Sequence, residues 1–140
     1  MTCPLRVSPY VQASLLAALL LSAAGCGGRE ATVEGVVTLD GQPVTTGSVS
    51  FMPASGGQKA VGVIDESGHY ELMTNQDTGL DAGQYVATVT ARERGESDGS
   101  GPPLPGKYLV PMKYSLPNRS GLNYTVEAGS NTIDITLTSD

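Results

Sequence analysis

Reactive side chains are few in this chain and widely scattered. It holds one histidine, His69, two cysteines, Cys3 and Cys26, and no tryptophan. A nucleophilic or acid–base centre needs a base within reach of its nucleophile, and no Ser/His/Asp or Ser/Lys pairing emerges from the spacing. His69 follows the turn cluster Asp65-Glu66-Ser67-Gly68 and reads as a strand residue beside a turn. Oxygen ligands gather in two loops, Asp65 with Glu66, and Asn75 with Asp77 and Asp81. Calcium takes about six to eight oxygens, and neither loop carries the D-x-[DN]-x-[DN]-G pattern. Tyr108 and Tyr114 are the candidate binding residues, because amphipathic rings suit a polysaccharide or peptide face. No catalytic residue, metal ligand or cofactor is expected, and the chain is not expected to be an enzyme.

Composition narrows the partners. Charged residues make up 16% of the chain, against roughly 25% in soluble domains. Lys+Arg number 8 against 14 Asp+Glu, for a net charge of −6. Nucleic acid is therefore not an expected partner, since its affinity comes mostly from neutralising phosphates. With 140 residues there is room for one ordinary domain, and 18 Gly with 9 Pro make it rich in turns.

The N-terminus reads as an address. Arg6 is the only charge before Arg29, and residues 11–24 are apolar with leucines at their centre. That run is shorter than the roughly 20 residues of a membrane-spanning helix, so residues 1–25 read as a cleaved signal peptide. Ser22-Ala23-Ala24-Gly25-Cys26 resembles the bacterial lipobox, with Ala23 where a branched residue is usual. The resemblance implies that the Cys26 thiol is diacylated, that the signal is cut before it, and that the new amino group is acylated. More than one acyl chain makes such anchoring stable. The lipid bilayer then becomes a partner through Cys26, and residues 26–31 form a flexible tether that includes Gly27-Gly28. Because Gly rather than Asp follows Cys26, the sorting rule of two-membrane bacteria implies the outer membrane rather than the inner. Residues 26–140 keep one cysteine and form no internal disulfide, so the core alone must hold the domain.

Residues 32–140 alternate short β-rich runs with turn clusters. The alternation predicts seven strands, at 32–39, 48–52, 60–64, 69–74, 84–91, 122–127 and 132–138. Asp40-Gly41 is a strong hairpin signal. Val33, Val37, Val49, Tyr70, Leu72, Tyr85, Ala87, Val89, Ile135 and Leu137 fall on inward phases. Several short strands at regular spacing predict an all-β, seven-stranded antiparallel sandwich. Two stretches break the rhythm. Residues 92–106 mix charges with Ser, Gly and three prolines and read as a mobile loop without ladder bonds. Residues 107–121 follow with more loop formers.

The strings VEGVVTLDGQPVTTGSVSFMP (33–53), GVIDESGHYEL (62–72) and DAGQYVATVT (81–90) occur in that order. Together they resemble the carboxypeptidase regulatory-like domain of the transthyretin (prealbumin-like) β-sandwich group. VPMKYSLPNRSGLNYTVEAGSNTIDITL (110–137) resembles the ending of small bacterial lipoproteins of that group. The resemblance covers nearly all of residues 32–140 and implies a fold, since superfolds host unrelated activities. Such domains are generally accessory and non-catalytic. The group's hydroxyisourate hydrolase uses several His, an Arg and a C-terminal Tyr-Arg-Gly-Ser run, whereas this chain has His69 alone and ends Leu137-Thr138-Ser139-Asp140. Related adhesin sandwiches form isopeptide bonds from a first-strand Lys, but Glu34 is the charged residue there and Lys59, Lys107 and Lys113 fall in loops. Asn118-Arg119-Ser120 and Asn123-Tyr124-Thr125 match a glycosylation sequon that carries no meaning in a bacterial cell. The reading is a membrane-anchored extracytoplasmic lipoprotein, a non-catalytic structural or interaction module with an envelope protein or polysaccharide as partner. A carbohydrate- or peptide-binding module is the alternative, and a transthyretin-like hydrolase a distant third.

Overall fold

A computed structural model describes residues 29–140. The expected signal peptide (1–25), Cys26 and the first half of the expected tether (26–28) lie outside the described residues. The described chain is all-β, with eleven strands and one 3-10 turn at Met112–Ser115.

A five-stranded sheet is built around β1 (Ala31–Leu39). On one side β1 pairs antiparallel with β2 (Gln42–Pro43) and β5 (His69–Glu71). On the other it pairs parallel with β10 (Gly129–Thr132) and β11 (Ile135–Leu137). The second sheet has six strands, in the order β7 (Asp77–Thr78), β6 (Met73–Thr74), β4 (Ala60–Val63), β3 (Ser48–Pro53), β8 (Gly83–Thr90), β9 (Leu122–Val126). All of its pairs are antiparallel.

Local chemistry explains the tightest turn. Asp40 and Gly41 both take positive φ, 50° and 84°, which a two-residue primed hairpin requires. Leu39 then pairs with Gln42. Alternation sets the faces, and the inward side chains of both sheets form one core, including Val33, Val37, Phe51, Tyr70, Ile135 and Leu137, all fully buried.

The arrangement differs from the expected seven antiparallel strands: β2 and β7 are additional two-residue strands, and two of the expected runs are interrupted. The run 69–74 is not one strand. At Leu72, whose N–H donates to the Val33 carbonyl, the chain leaves β1 as β5 and joins β4 as β6. The run 132–138 is likewise interrupted, and its two pieces lie parallel to β1. Periodicity gives each strand's phase but not its neighbour or direction, so the parallel pairing carries no local signal.

The interruption opposite Gly35 has its own bonding. The Ile133 N–H donates to the Glu34 carbonyl at 2.8 Å, which keeps the parallel register up to that point. The next ladder bond would join the Val36 N–H to the Ile133 carbonyl. Instead the Val36 N–H donates to Asp134 Oδ1 at 3.0 Å, and the Ile133 carbonyl accepts the Tyr70 hydroxyl at 2.6 Å. Tyr70 pairs with Gly35 on the opposite side of β1, so its ring reaches across the glycine to the third strand. A Cβ on Gly35 would sit 2.0 Å from the Ile133 oxygen, so only glycine leaves room.

Candidate functional site

The chain enters the fold near the expected anchor. Arg29 pairs with Asp81 at 3.2 Å, the Gly129 N–H donates to the Glu30 carbonyl, and Ala31 exchanges two bonds with Leu80. Arg29 and Glu30, within the tether read from sequence, therefore already belong to the folded body. Beside them lies a cleft of about 230 Å³. Polar groups in and beside it close on one another: Arg29 reaches Gln58 Oε1 at 3.5 Å, the neighbouring Asn75 donates to the same oxygen at 3.0 Å, and the Tyr85 hydroxyl donates to the Asp81 carbonyl. This is a clasp between loops that holds the entry point of the chain.

Asp65 accepts from the Ser67 hydroxyl at 2.6 Å and from the N–H groups of Ser67 and His69. These bonds, led by the Ser67 hydroxyl, hold its carboxyl below the ordinary carboxylate value. The imidazole of His69 lies 3.5 Å from Glu34 and 4.0 Å from Asp65. Ser67 gives its proton to the carboxylate rather than to the imidazole, so the cluster is a turn lock and His69 is not placed as its base. Asp98 repeats the device, accepting from the Ser100 hydroxyl and N–H. No group of three or more His, Cys, Asp or Glu that could hold a metal occurs among the described residues.

Residues 92–106, expected as a mobile loop without ladder bonds, form the larger part of a pinned hairpin arm. Arg92 and Tyr108 make an antiparallel bridge, the Glu93 N–H donates to the Lys107 carbonyl, and the Leu104 N–H reaches the Glu96 carbonyl at 3.4 Å. Prolines withhold donors only at 102, 103 and 105, leaving the bonds at the base free to form. Leu104 stands 75% exposed on the arm.

The two candidate tyrosines part company. Tyr108 is 36% exposed, with the Arg92 guanidinium 4.0 Å from its ring centroid and also bonded to its hydroxyl. Tyr114 is only 7% exposed. Its hydroxyl accepts the Thr138 N–H at 3.0 Å, which ties the 3-10 turn to the end of the chain. A ring so enclosed offers no platform for a ligand, which corrects its assignment as a binding residue. Burial raises its hydroxyl, but the Thr138 bonds and the Lys113 charge outweigh that and leave it below the ordinary tyrosine value.

The arm brings in residues that the sequence reading did not single out, Arg92 above all. The signal was there as charge distribution. Arg92, Arg94, Lys107, Lys113 and Arg119 fall within 92–119 beside three acids, whereas the rest of 29–140 has only Arg29 and Lys59 against eleven. None of Arg92, Arg94, Lys107 and Arg119 has a carboxylate within 4.0 Å among the described residues. Comparison with protein-family models, curated proteins and solved structures found no match for this chain.

Proposed function

We propose that the protein is a lipid-anchored extracytoplasmic module of the bacterial envelope, non-catalytic, with a transthyretin-like β-sandwich as its body. One observation carries the reading. The lipobox-like Ser22-Ala23-Ala24-Gly25-Cys26 is followed by only Gly27-Gly28 before Arg29 is clasped into the fold. An acylated Cys26 would thus hold the body close to a membrane, by preference the outer one. The two sheets sharing one core support the sandwich. Metabolic labelling with a palmitate analogue, read beside Cys26→Ala, tests the anchor. Incorporation that disappears in the variant, together with its release from membranes, is the expected result. An unlabelled protein, or a variant that stays membrane-bound, defeats it.

A second reading, binding of an envelope polysaccharide or peptide, is favoured by the Arg92–Tyr108 pair on the basic arm. A glycan and peptide array with wild type beside Tyr108→Ala tests it. Loss of signal in the variant is expected, and an array without hits removes the reading.

A further inference from the structure

The arm that holds Arg92 and Tyr108 stands at the end of the body away from the clasp. Arg29 shares its cleft with Gly83 and Gln84, the first residues of β8. β8 then runs to Thr90, and the arm begins at Arg92. A strand of this length rises about 25 Å, so the arm projects that much farther from Cys26 than the clasp does. Its base is firmly built. The Glu93 N–H donates to the Lys107 carbonyl and the Leu109 N–H to the Ala91 carbonyl, both at 2.9 Å. The two segments touch backbone to backbone, since a Cβ on Gly106 would collide with the Glu93 oxygen and one on Gly95 with the Leu104 oxygen. Arg92, Arg94 and Lys107 are all exposed there, and none has a carboxylate within 4.0 Å among the described residues.

We infer, on the footing of the second reading above, that the base of the arm binds an acidic polysaccharide, one that carries carboxylates along its chain. Charge brings the polymer here. Outside 92–119, residues 29–140 hold Arg29 and Lys59 against eleven acids, and Arg29 is already paired with Asp81. A polyanion is repelled by that surface and attracted at the arm. Two of the arm's three acids, Glu96 and Asp98, lie toward its tip, and Asp98 is taken up by Ser100, which leaves Glu93 as the one acid at the base. Arginine suits a carboxylate, which its planar fork can hold through two parallel bonds. A sugar ring suits Tyr108, which is partly exposed and steadied by the Arg92 guanidinium 4.0 Å from its centroid. A peptide strand finds no edge to extend, because the Glu93 and Leu109 N–H groups are bonded across the hairpin and Pro102, Pro103 and Pro105 have none. A folded protein would want roughly 20–30 residues a side, more than the base of the arm presents. A bilayer holding Cys26 lies at the opposite end of the body. A repeating polymer instead gains from many short contacts, because copies anchored in one membrane engage successive repeats together.

The test uses the full-length protein in phosphatidylcholine vesicles, with labelled polygalacturonate as the acidic glycan and dextran as the neutral one. Polygalacturonate should co-sediment with the vesicles and dextran should not, and high salt should weaken the binding at least about tenfold. Arg92→Gln and Arg94→Gln should each weaken it about fivefold or more. Lys59→Gln removes the same charge next to Gln58 of the clasp and should stay within about twofold. Arg94→Gln decides the matter where Arg92→Gln, which also gives up the bond to Tyr108, disturbs the arm. Poly-L-glutamate should bind at least about tenfold more weakly than polygalacturonate, since it offers carboxylates without sugar rings. Equal binding of poly-L-glutamate, capture of phosphatidylglycerol vesicles through the same arginines, matching losses in Arg94→Gln and Lys59→Gln, or no binding of polygalacturonate overturns the inference. If neutral sugars or peptides on the array still bind through Tyr108, the second reading stands without it, and an array without hits removes both.

Discussion

The two sheets hold together by different means, although they share one core. The six-stranded sheet is a continuous antiparallel ladder, with one close approach at Gly62, where a Cβ would lie 2.6 Å from the Glu71 carbonyl. The five-stranded sheet hangs on β1, which touches all four of its partners and is joined to the last strands across a missing ladder bond. There Tyr70 and Asp134 stand in for backbone partners, and Gly35 keeps the space between them open. The regular sheet should tolerate graded change. The mended one depends on particular atoms, and the same size of substitution should cost very different amounts in the two.

The sharpest break is Gly35→Ala. The new methyl would overlap the Ile133 carbonyl at 2.0 Å, and neither backbone can yield without parting the strands. A loss of at least about 3 kcal/mol is expected, or failure to fold. Val49→Ala in the other sheet removes a fully buried side chain but leaves the ladder intact, and should cost about 2 kcal/mol. Urea unfolding of both variants checks the contrast, and equal costs would dissolve it.

Next comes Tyr70→Phe, which keeps the ring but leaves the Ile133 carbonyl without its donor. The expected cost is about 2 kcal/mol, against about 1 for Tyr85→Phe, whose hydroxyl bonds a loop carbonyl. Alkaline unfolding sharpens the comparison. Burial, with smaller contributions from Tyr124 and Asp134, pushes the Tyr70 hydroxyl far above the ordinary value of 10.0. The folded state thus favours the protonated phenol, so its contribution is complete below pH 10 and is lost as pH rises beyond. Tyr70→Phe should flatten the fall in stability above pH 10 more than Tyr85→Phe does.

Asp134→Ala is milder, because Val36 lies near solvent and water can replace the carboxylate in part. About 1 kcal/mol by the same urea assay is expected. The smallest effect has the opposite sign. Glu34 and Glu71 face each other directly across β1 and β5, and Glu71→Thr should stabilise by about 0.3–0.5 kcal/mol. Val63→Thr, at a position 76% exposed, should leave the stability within about 0.5 kcal/mol. On the acid side, the lowered carboxyl of Asp65 adds stability above its ordinary value of 3.8 and loses it as pH falls below that. An NMR titration of the Asp65 carboxyl should therefore give a midpoint under 3.8.

Much of this was legible in the residues. Alternation placed Val33, Val37, Val49, Tyr70 and Ile135 inward, and all are fully buried. Asp40-Gly41 announced its turn. The breaks at Leu72 and at Ile133-Asp134 were not legible, because the inward–outward phase continues through both and only the partner changes. Asp134 reads as one more outward polar residue; that it serves Val36 depends on a neighbour far away in sequence. Tyr114 misled for a related reason. Its surroundings are loop formers, yet Thr138 and the chain end close over it. The charge imbalance of 92–119 lay in plain view, but only the arm's geometry shows Arg92 stacked on Tyr108.

The pairing of β1 with β10 and β11 also has a consequence in time. Val36 and Asp134 are 98 positions apart, so the central strand of one sheet is made well before its parallel partner. Until residues 129–137 emerge from the ribosome, β1 can hold only the short strands β2 and β5. Late, distant pairing of this kind slows folding and leaves strand edges open meanwhile. A nascent chain stalled before residue 129 should remain protease-sensitive along β1, and release of residues 129–137 should close the domain in one cooperative step.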